Sequence, residues 1–269
     1  SAAGDCWKLG RHRLVCGSAL DVQAYHRLMN GKRATLIFTD PPYNVAIAGH
    51  AGGNGRVKHR EFAMASGEMS AAAFSQFLTA AFQLMSLNAG DGALHFVCMD
   101  WRHMPEILAA GQAVYTELKN LCVWAKDRAG MGSLYRSQHE LIFVFKQGTK
   151  AHINNSELGR FGRHRSNVWN YPAILSERHT EEGDLLALHP TVKPVQMVAD
   201  ALLDGSRRGD IVMDPFLGSG TTLLAAQRVG RACYGIELDP RYVDTAILRW
   251  QRVTGEDAIH EATGESYTR

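Results

Sequence analysis

Two short stretches of the chain combine residue types that could do chemistry. The first reads FTDPPYNV and places Asp40 and Tyr43 on either side of two prolines. Because a proline fixes φ and has no N–H donor, Pro41 and Pro42 must end the apolar strand predicted over residues 34–38. A rigid corner at the end of a buried strand suits the presentation of functional groups better than it suits packing.

The second stretch, IVMDPFLGSGTT over residues 211–222, runs from a predicted strand through a glycine-rich turn into a helix. This arrangement brings a ligand close to bare backbone N–H groups. It is not a phosphate-binding P-loop, because Thr221 follows Gly220 where that loop has a lysine. It also lacks the third glycine of a dinucleotide fingerprint, since Leu223 occupies that position. The pattern argues against ATP and NAD as ligands.

An acidic residue, Glu237, ends the next predicted strand, roughly 20 residues after the glycines. Nucleoside-binding α/β folds hold a ribose diol with an acid at this position. We interpret Glu237 as such a ligand, with a structural residue at the rim of the sheet as the alternative. Asp239 is interpreted differently, as the N-cap of a helix that begins at Pro240.

Strand and helix patterns alternate along most of the chain, which predicts an α/β fold with a mainly parallel sheet. The predicted strands cover residues 34–38, 93–99, 118–125, 138–146, 210–214 and 232–237. The predicted helices cover residues 70–87, capped by Ser70, 101–110, 194–203, 221–229 and 240–253. Two stretches with several basic residues, 44–68 and 147–188, break the alternation. Loops of this length are often functional, and a solvated surface loop is the alternative.

The composition of the 269 residues is that of an ordinary globular protein, with 45% hydrophobic and 21% charged residues. The net charge of +2 neither requires nor excludes nucleic acid as a partner. Five scattered cysteines without a C-x-x-C pair argue against a disulfide framework and predict no metal site. No apolar run approaches the ~20 residues of a membrane span, and we expect a cytoplasmic protein. Because the chain begins with Ser1, we expect a part of something longer.

Together these stretches resemble the β class of S-adenosylmethionine-dependent amino-methyltransferases of DNA. FTDPPYNV resembles the catalytic motif of that family, and MDPFLGSGTT with YGIELDP resembles its cofactor motifs, in the β-class order. HPTVKP, RSQHELIFVFK and LVCGSALD resemble further family blocks. The resemblance implies a Rossmann-like methyltransferase fold with a mostly parallel seven-stranded-type sheet. It implies a single methyltransferase domain over residues 1–269, a small target-recognition insert at 147–188, and a mobile loop at 44–68 beside the catalytic motif.

The resemblance also implies a role for each residue of the catalytic motif. Transfer of a methyl group from a sulfonium to an exocyclic amine requires in-line positioning and acceptors that orient the amine. Asp40 accepts one amino hydrogen, the carbonyl of Pro41 accepts the other, and Pro42 shapes the corner. Tyr43 offers a ring face to a base turned out of the duplex. Methylation at carbon 5 of cytosine is disfavoured, since it would need a cysteine after a proline and the sequence has none.

The cofactor that the resemblance implies is S-adenosylmethionine. Glu237 would accept hydrogen bonds from its ribose hydroxyls. The residues expected in the glycine turn or near the methionine part are Thr191, Lys193, Asp214, Phe216, Gly218, Ser219, Gly220 and Thr221. The residues expected near the adenine are Ser18, Leu20 and Asp21.

Double-stranded DNA is the expected partner, bound through basic residues of the irregular stretches. The predicted contacts to phosphates or guanine edges are Lys58, Lys126, Arg128, Arg136, Arg160, Arg163 and Arg165. His139 and Glu140 match a family motif that borders the base pocket, although such a pair at a strand start is more often structural.

Adenine N6 is the favoured target, because a motif that begins with Asp is typical of the adenine enzymes, whereas cytosine-N4 enzymes more often have Ser there. Methylation of cytosine N4 is the first alternative, followed by RNA methylation and by a non-catalytic binding subunit that retains the fold. The sequence leaves open a homodimer, a restriction enzyme as the partner in a restriction-modification pair, and a fused nuclease-like domain in a longer protein.

Overall fold

Strands and helices alternate along the chain in the computed structural model, which describes residues 1–45, 67–130, 134–160, 162–173 and 192–268. The strands are β1 (Cys6–Leu9), β2 (His12–Cys16), β3 (Ala34–Thr39), β4 (Ala89–Met99), β5 (Glu117–Ala125), β6 (His139–Lys146), β7 (Val168–Asn170), β8 (Ile211–Asp214), β9 (Ala232–Glu237) and β10 (Ile259–His260). The helices are α1 (Val22–Met29), α2 (Ala71–Leu87), α3 (Met104–Val114), α4 (Val195–Gly205), α5 (Thr221–Val229) and α6 (Pro240–Thr254).

The ten strands form one sheet in the order β10-β1-β2-β9-β8-β3-β4-β6-β5-β7. Its central seven strands run from β2 to β5, and β6 is antiparallel to both of its neighbours while the other six share one direction. The hairpin of β1 and β2, with β10 beyond it, extends one edge, and β7 extends the other. The prediction of an α/β fold with a mostly parallel, seven-stranded-type sheet is confirmed.

The middle of the sheet is buried on both faces, which explains why β3 is apolar except for its two threonines. Side chains alternate along a strand, so Leu36 and Phe38 of β3 pack in the layer that contains α4, α5 and α6. Ile37, between them, packs in the layer that contains α1, α2 and α3. This double burial fixes the end of β3. The segment that follows, residues 40–43, is called the DPPY corner below.

The helix caps follow the sequence closely. Ser70 accepts a hydrogen bond from the backbone of Ala73, and Asp239 accepts one from Arg241, so both predicted caps are confirmed. Asp21, expected near the adenine, caps α1 by accepting a bond from Gln23. Its side chain therefore has a structural function whether or not it also contacts a ligand.

Two elements differ from the predictions. The helix predicted over residues 101–110 is divided into a 3-10 turn at Trp101–His103 and α3, which carries a proline in its first turn. The predicted insert at 147–188 contributes β7, which pairs with β5 in the main sheet. Each helix in the described part of the chain is too short or too polar to span a bilayer.

Candidate active site

The predicted motifs meet at one edge of the sheet. Strands β2, β9, β8 and β3 are neighbours and run parallel, so their carboxyl ends lie side by side. Asp40 follows β3, Asp214 ends β8, Glu237 ends β9, and Ser18 lies just beyond β2. The catalytic and cofactor motifs, far apart in the sequence, are therefore adjacent in space.

The DPPY corner presents a partly exposed carboxylate. One oxygen of Asp40 accepts a 2.5 Å hydrogen bond from the hydroxyl of Tyr43, and the other accepts a 2.5 Å bond from Nζ of Lys193. The Tyr43 hydroxyl also lies 3.1 Å from an oxygen of Glu140. The Asp40 side chain retains 23% of its surface exposed, so an incoming donor can reach the carboxylate.

Four charged groups alternate behind this corner. The ammonium group of Lys193, which is only 5% exposed, lies 2.5 Å from Asp40 and 3.0 Å from Glu140. The other oxygen of Glu140 accepts a 2.6 Å bond from Lys126. Burial opposes the ionisation of Glu140, but Lys193 and Lys126 outweigh it and hold its pKa at about 2. Burial, reinforced by the charge of Glu140, raises the pKa of Asp40, and Lys193 counteracts this shift.

The position of Lys193 differs from what the sequence suggested. Its motif places it beside the methionine carboxylate of the cofactor, whereas the structure places its ammonium group against Asp40 and Glu140. Burial disfavours a charged lysine, but the two carboxylates raise the pKa of Lys193 above its ordinary value. The contact with a cofactor stays a prediction, and Thr191 lies outside the described residues.

Asp214 connects the two motifs. Its carboxylate accepts bonds from the hydroxyls of Thr39 at 2.8 Å and Thr222 at 2.6 Å, and from the backbone N–H of Phe216 at 3.1 Å. The side chain is buried, and burial raises its pKa to about 6 in spite of these donors. Asp214 thus fixes the start of the glycine turn relative to β3. Its predicted contact with a cofactor is untested.

The glycine turn depends on backbone conformations that favour glycine. Gly218 has φ 55° and Gly220 has φ 91°. A Cβ atom on Gly220 would come within 2.9 Å of the side chain of Ala246. Ser219 is buried, and its carbonyl accepts a 2.8 Å bond from Arg249 of α6. The turn is therefore held against α6, and Thr221 begins α5 directly after it.

Glu237 contacts the turn directly. One carboxylate oxygen accepts a 2.8 Å bond from the N–H of Gly218, and the other accepts a 2.8 Å bond from the N–H of Asp239. Burial raises the pKa of Glu237 to about 7 despite both bonds. The N–H of Gly17 donates to the carbonyl of Glu237, which places Ser18 beside the same strand end. The Ser18 hydroxyl accepts from Leu20.

The predicted DNA contacts fall into two groups. Arg163 and Arg165 both bind Asp204 of α4, at 2.6 and 2.9 Å, and Arg165 also stacks on a tryptophan ring. These guanidinium groups attach the irregular stretch to the domain, a role that the sequence did not indicate. Arg136 and Arg160 are exposed, while Lys58 lies outside the described residues. All of these DNA contacts stay predictions.

Asn44 is a site residue that the sequence analysis missed. It has φ 53°, and its buried side chain binds the backbone of Gly67 and Met69, on the far side of residues 46–66. An asparagine after the DPPY residues was a usable signal, because asparagine tolerates positive φ better than most residues.

Among the described residues, no cluster of His, Cys, Asp or Glu is arranged to hold a metal ion.

The comparison with known families agrees with this arrangement of fold and site. The sequence profile of the DNA methylase family, which covers N6 and N4 enzymes, matches residues 34–248. The chain belongs to this family of DNA amino-methyltransferases.

Three known proteins illustrate the similarity. The type II methyltransferase M.BglII of Bacillus subtilis is 29% identical over 161 residues, 51% of this chain and 42% of the relative. The cytosine-N4-specific PvuII DNA methyltransferase superposes with a TM-score of 0.65 at 15% identity, over 88% of this chain and 85% of that one. A complex of M1.HpyAVI with SAM superposes with a TM-score of 0.61 at 16% identity, over 88% of this chain and 97% of that one. The chain spans less than half the length of the curated relatives it matches.

Proposed function

We propose that this protein transfers a methyl group from S-adenosylmethionine to N6 of adenine in double-stranded DNA. The observation that carries the proposal is the position of the Asp40 carboxylate, partly exposed at the end of β3 and adjacent to the glycine turn that follows β8. A donor bound at the turn and an amine bound at Asp40 would meet at the same edge of the sheet. Such proximity is the main requirement of this reaction.

In this proposal the DPPY corner orients the amine. Asp40 and the carbonyl of Pro41 accept its two hydrogens, which directs the nitrogen lone pair toward the methyl group. The ring of Tyr43 stacks on the base, which must leave the duplex to reach it. On transfer, the nitrogen would bond to the methyl carbon as the carbon–sulfur bond breaks, which would leave S-adenosylhomocysteine. The proton that the amine loses would pass to the Asp40 carboxylate that accepts it, and from there to water.

The residues of the second motif fit S-adenosylmethionine, which supplies the methyl group when bound. Each carboxylate oxygen of Glu237 accepts one backbone N–H and keeps a second acceptor position for a ribose hydroxyl. Leu20 and Leu238 are exposed apolar residues that follow the neighbouring strands β2 and β9. Both are suited to flank an adenine ring, and Ser18 lies beyond the same strand as Leu20.

The hairpin between β5 and β6 is the best candidate for a DNA contact in the described part of the chain. It begins beside Lys126 and Glu140 and extends beyond the carboxyl edge of the sheet. In the segment before β6, Leu134 is 84% exposed and Tyr135 is 82% exposed, next to the exposed Arg136. Exposed aromatic and apolar side chains beside arginines are suited to unstacked bases and phosphates. Arg160 would add a phosphate contact.

Cytosine N4 is the second candidate target. PvuII methyltransferase, whose structure resembles this one, is cytosine-N4-specific. The aspartate at position 40 favours adenine over cytosine. A role in restriction-modification is part of the proposal, supported by the similarity to a type II methyltransferase.

A transfer assay tests the proposed function. The protein is incubated with unmethylated duplex DNA and S-adenosylmethionine labelled in the methyl group, and label in the DNA is counted. Asp40→Ala should lower the rate by at least about 100-fold while it still binds cofactor and DNA. Absence of label with the unaltered protein, or an unchanged rate in Asp40→Ala, would contradict the proposal. RNA in place of DNA tests the remaining alternative substrate.

A further inference from the structure

We propose that Lys193, itself held by an ion pair with Glu140, is a positioning residue of the catalytic corner and keeps Asp40 as an ionised hydrogen-bond acceptor. The proposal rests on the proposed function and reassigns a lysine that the sequence places at the cofactor. It concerns the protonation state of the Asp40 carboxylate, and it assigns to Glu140 the role of holding the ammonium group of Lys193 in place.

The first argument is the geometry of the ammonium group. Nζ of Lys193 donates to Asp40 at 2.5 Å and lies 3.0 Å from Glu140. The face of the Tyr43 ring is 5.3 Å from the same atom, within the range of a cation–π contact. An ammonium group has three N–H bonds, and these contacts give them partners. To reach a cofactor carboxylate, Lys193 would have to give up one of these three contacts.

The second argument is electrostatic. Glu140 and Asp40 both contact Nζ of Lys193, so the two negative charges lie close together in a largely buried site. Like charges at such a distance favour protonation of one of them. Lys126 neutralises Glu140 from the other side, which leaves the positive charge of Lys193 to stabilise Asp40. A protonated Asp40 would offer one acceptor oxygen fewer to the substrate amine.

Among the described residues, the titratable groups around Asp40 come from several elements packed near it. They are Tyr43 from the corner, Cys98 from β4, Lys126 after β5, Glu140 from β6, Lys193 before α4 and Asp214 from β8. Burial raises the pKa of Tyr43 and that of Cys98, so both are neutral at pH 7. Burial raises the pKa of Asp214 to about 6, and its charge also opposes the ionisation of Asp40. Within the described ranges, Lys193 is the cation that contacts the Asp40 carboxylate.

The test compares three variants in the transfer assay across a range of pH. Lys193→Met should lower kcat by about 100-fold and move the acid limb of the pH profile to higher pH. Glu140→Gln should move the same limb to lower pH, because it removes the neighbouring negative charge. Lys126→Met, the matched control, removes a cation that contacts Glu140 and the Trp124 ring and has no ion pair with Asp40 in the described part of the chain, so its shift should be smaller. Lys193→Arg should recover part of the lost rate.

The binding constant for S-adenosylmethionine decides between the two assignments of Lys193. If Lys193 is a positioning residue, the affinity of Lys193→Met for S-adenosylmethionine should stay within about threefold of that of the unaltered protein, while its kcat falls. More than tenfold weaker binding with an unchanged kcat would overturn the proposal and support the cofactor contact. Unshifted acid limbs in both Lys193→Met and Glu140→Gln would also overturn it. If the unaltered protein transfers no methyl group, it is the proposed function that fails. Should Lys193→Met not fold, Glu140→Gln alone gives the sign of the shift.

Discussion

The hydroxyl of Thr39 donates a 2.8 Å hydrogen bond to the buried carboxylate of Asp214 and thereby joins the strand before the catalytic corner to the strand before the glycine turn. The two strands are already paired in parallel, with Leu36 beside Val212 and Ile37 beside Met213. The side-chain bond continues this pairing to the last residue of each strand. The distance between the proposed amine site and the proposed methyl site is set by this connection.

Thr39→Val should lower the free energy of unfolding by about 1–3 kcal/mol, because it leaves a buried carboxylate without one of its donors. Urea denaturation of both proteins measures the difference. Thr79→Val is a suitable control, since the Thr79 hydroxyl donates to the carbonyl of Ser75 within its own helix. Equal losses in the two variants would argue against a special role of the Thr39 bond.

Gly220→Ala should destabilise the protein by about 2–4 kcal/mol, because it adds a contact with Ala246 to the cost of a positive φ. Gly209→Ala separates these two effects, because Gly209 has φ +85° and open space around its Cβ position. Its loss should stay near 1 kcal/mol. Thermal unfolding of the pair provides the comparison, and similar transitions would show that the Ala246 contact is unimportant.

The affinity for S-adenosylmethionine should rise as the pH increases to about 7, the pKa to which burial raises Glu237 from its ordinary value of 4.5. Below that pH the carboxyl carries a proton and loses an acceptor for the ribose hydroxyls, so the affinity should fall by up to about tenfold per pH unit. Glu237→Gln should remove this dependence and weaken binding at pH 8 by about 10- to 100-fold. Calorimetric titrations of both proteins with S-adenosylmethionine between pH 5 and 8 measure the pH dependence of this affinity.

The surface residue Glu117, which is 46% exposed and distant from the turn, offers the control for that experiment. Glu117→Gln should reproduce the pH dependence of the unaltered protein. A pH-independent affinity in the unaltered protein would refute the assignment of Glu237 to the ribose.

Tyr135→Ala should weaken DNA binding by about tenfold, the usual cost of losing one base-stacking contact, and leave cofactor affinity unchanged. Leu118→Ala is the control, because Leu118 is also exposed but lies near the opposite end of β5. Fluorescence anisotropy with a labelled duplex measures both variants. Equal affinities of Tyr135→Ala and Leu118→Ala for DNA would exclude Tyr135 as a DNA contact.

The central part of the fold was predictable because its signals are local. The helix at Thr221–Val229 and the strand at Ala232–Glu237 have the bounds that the sequence predicted, since glycines and an acid mark their ends. The hairpin of β1 and β2 and the strand β10 were missed. The strand β10 is defined by pairing between opposite ends of the chain, as between Trp7 and His260, which no local pattern reveals. The strands β1 and β2 pair locally across Gly10 and Arg11, a turn signal that the sequence analysis did not use.

The site was predictable to the level of its motifs. Parallel strand ends meet at one edge of a sheet, so the proximity of Asp40 to the glycine turn followed from the pattern. The partners of the charged residues did not follow. Lys193 and Asp40 are 153 residues apart in the sequence. Because the partner of a buried lysine can be this distant, the sequence alone does not distinguish such a lysine from a surface lysine. The ion pairs of Arg163 and Arg165 with Asp204 were not visible in the sequence either, and their DNA contacts stay predictions.

The most direct measurement identifies the base that is modified. The protein is incubated with unmethylated genomic DNA and labelled S-adenosylmethionine, the DNA is digested to nucleosides, and the products are separated by mass spectrometry, with Asp40→Ala as the control. We predict labelled N6-methyl-2′-deoxyadenosine from the unaltered protein and none from the variant. Labelled N4-methyl-2′-deoxycytidine would contradict the assignment to adenine. DNA that stays unlabelled while the cofactor is bound would contradict the account as a whole.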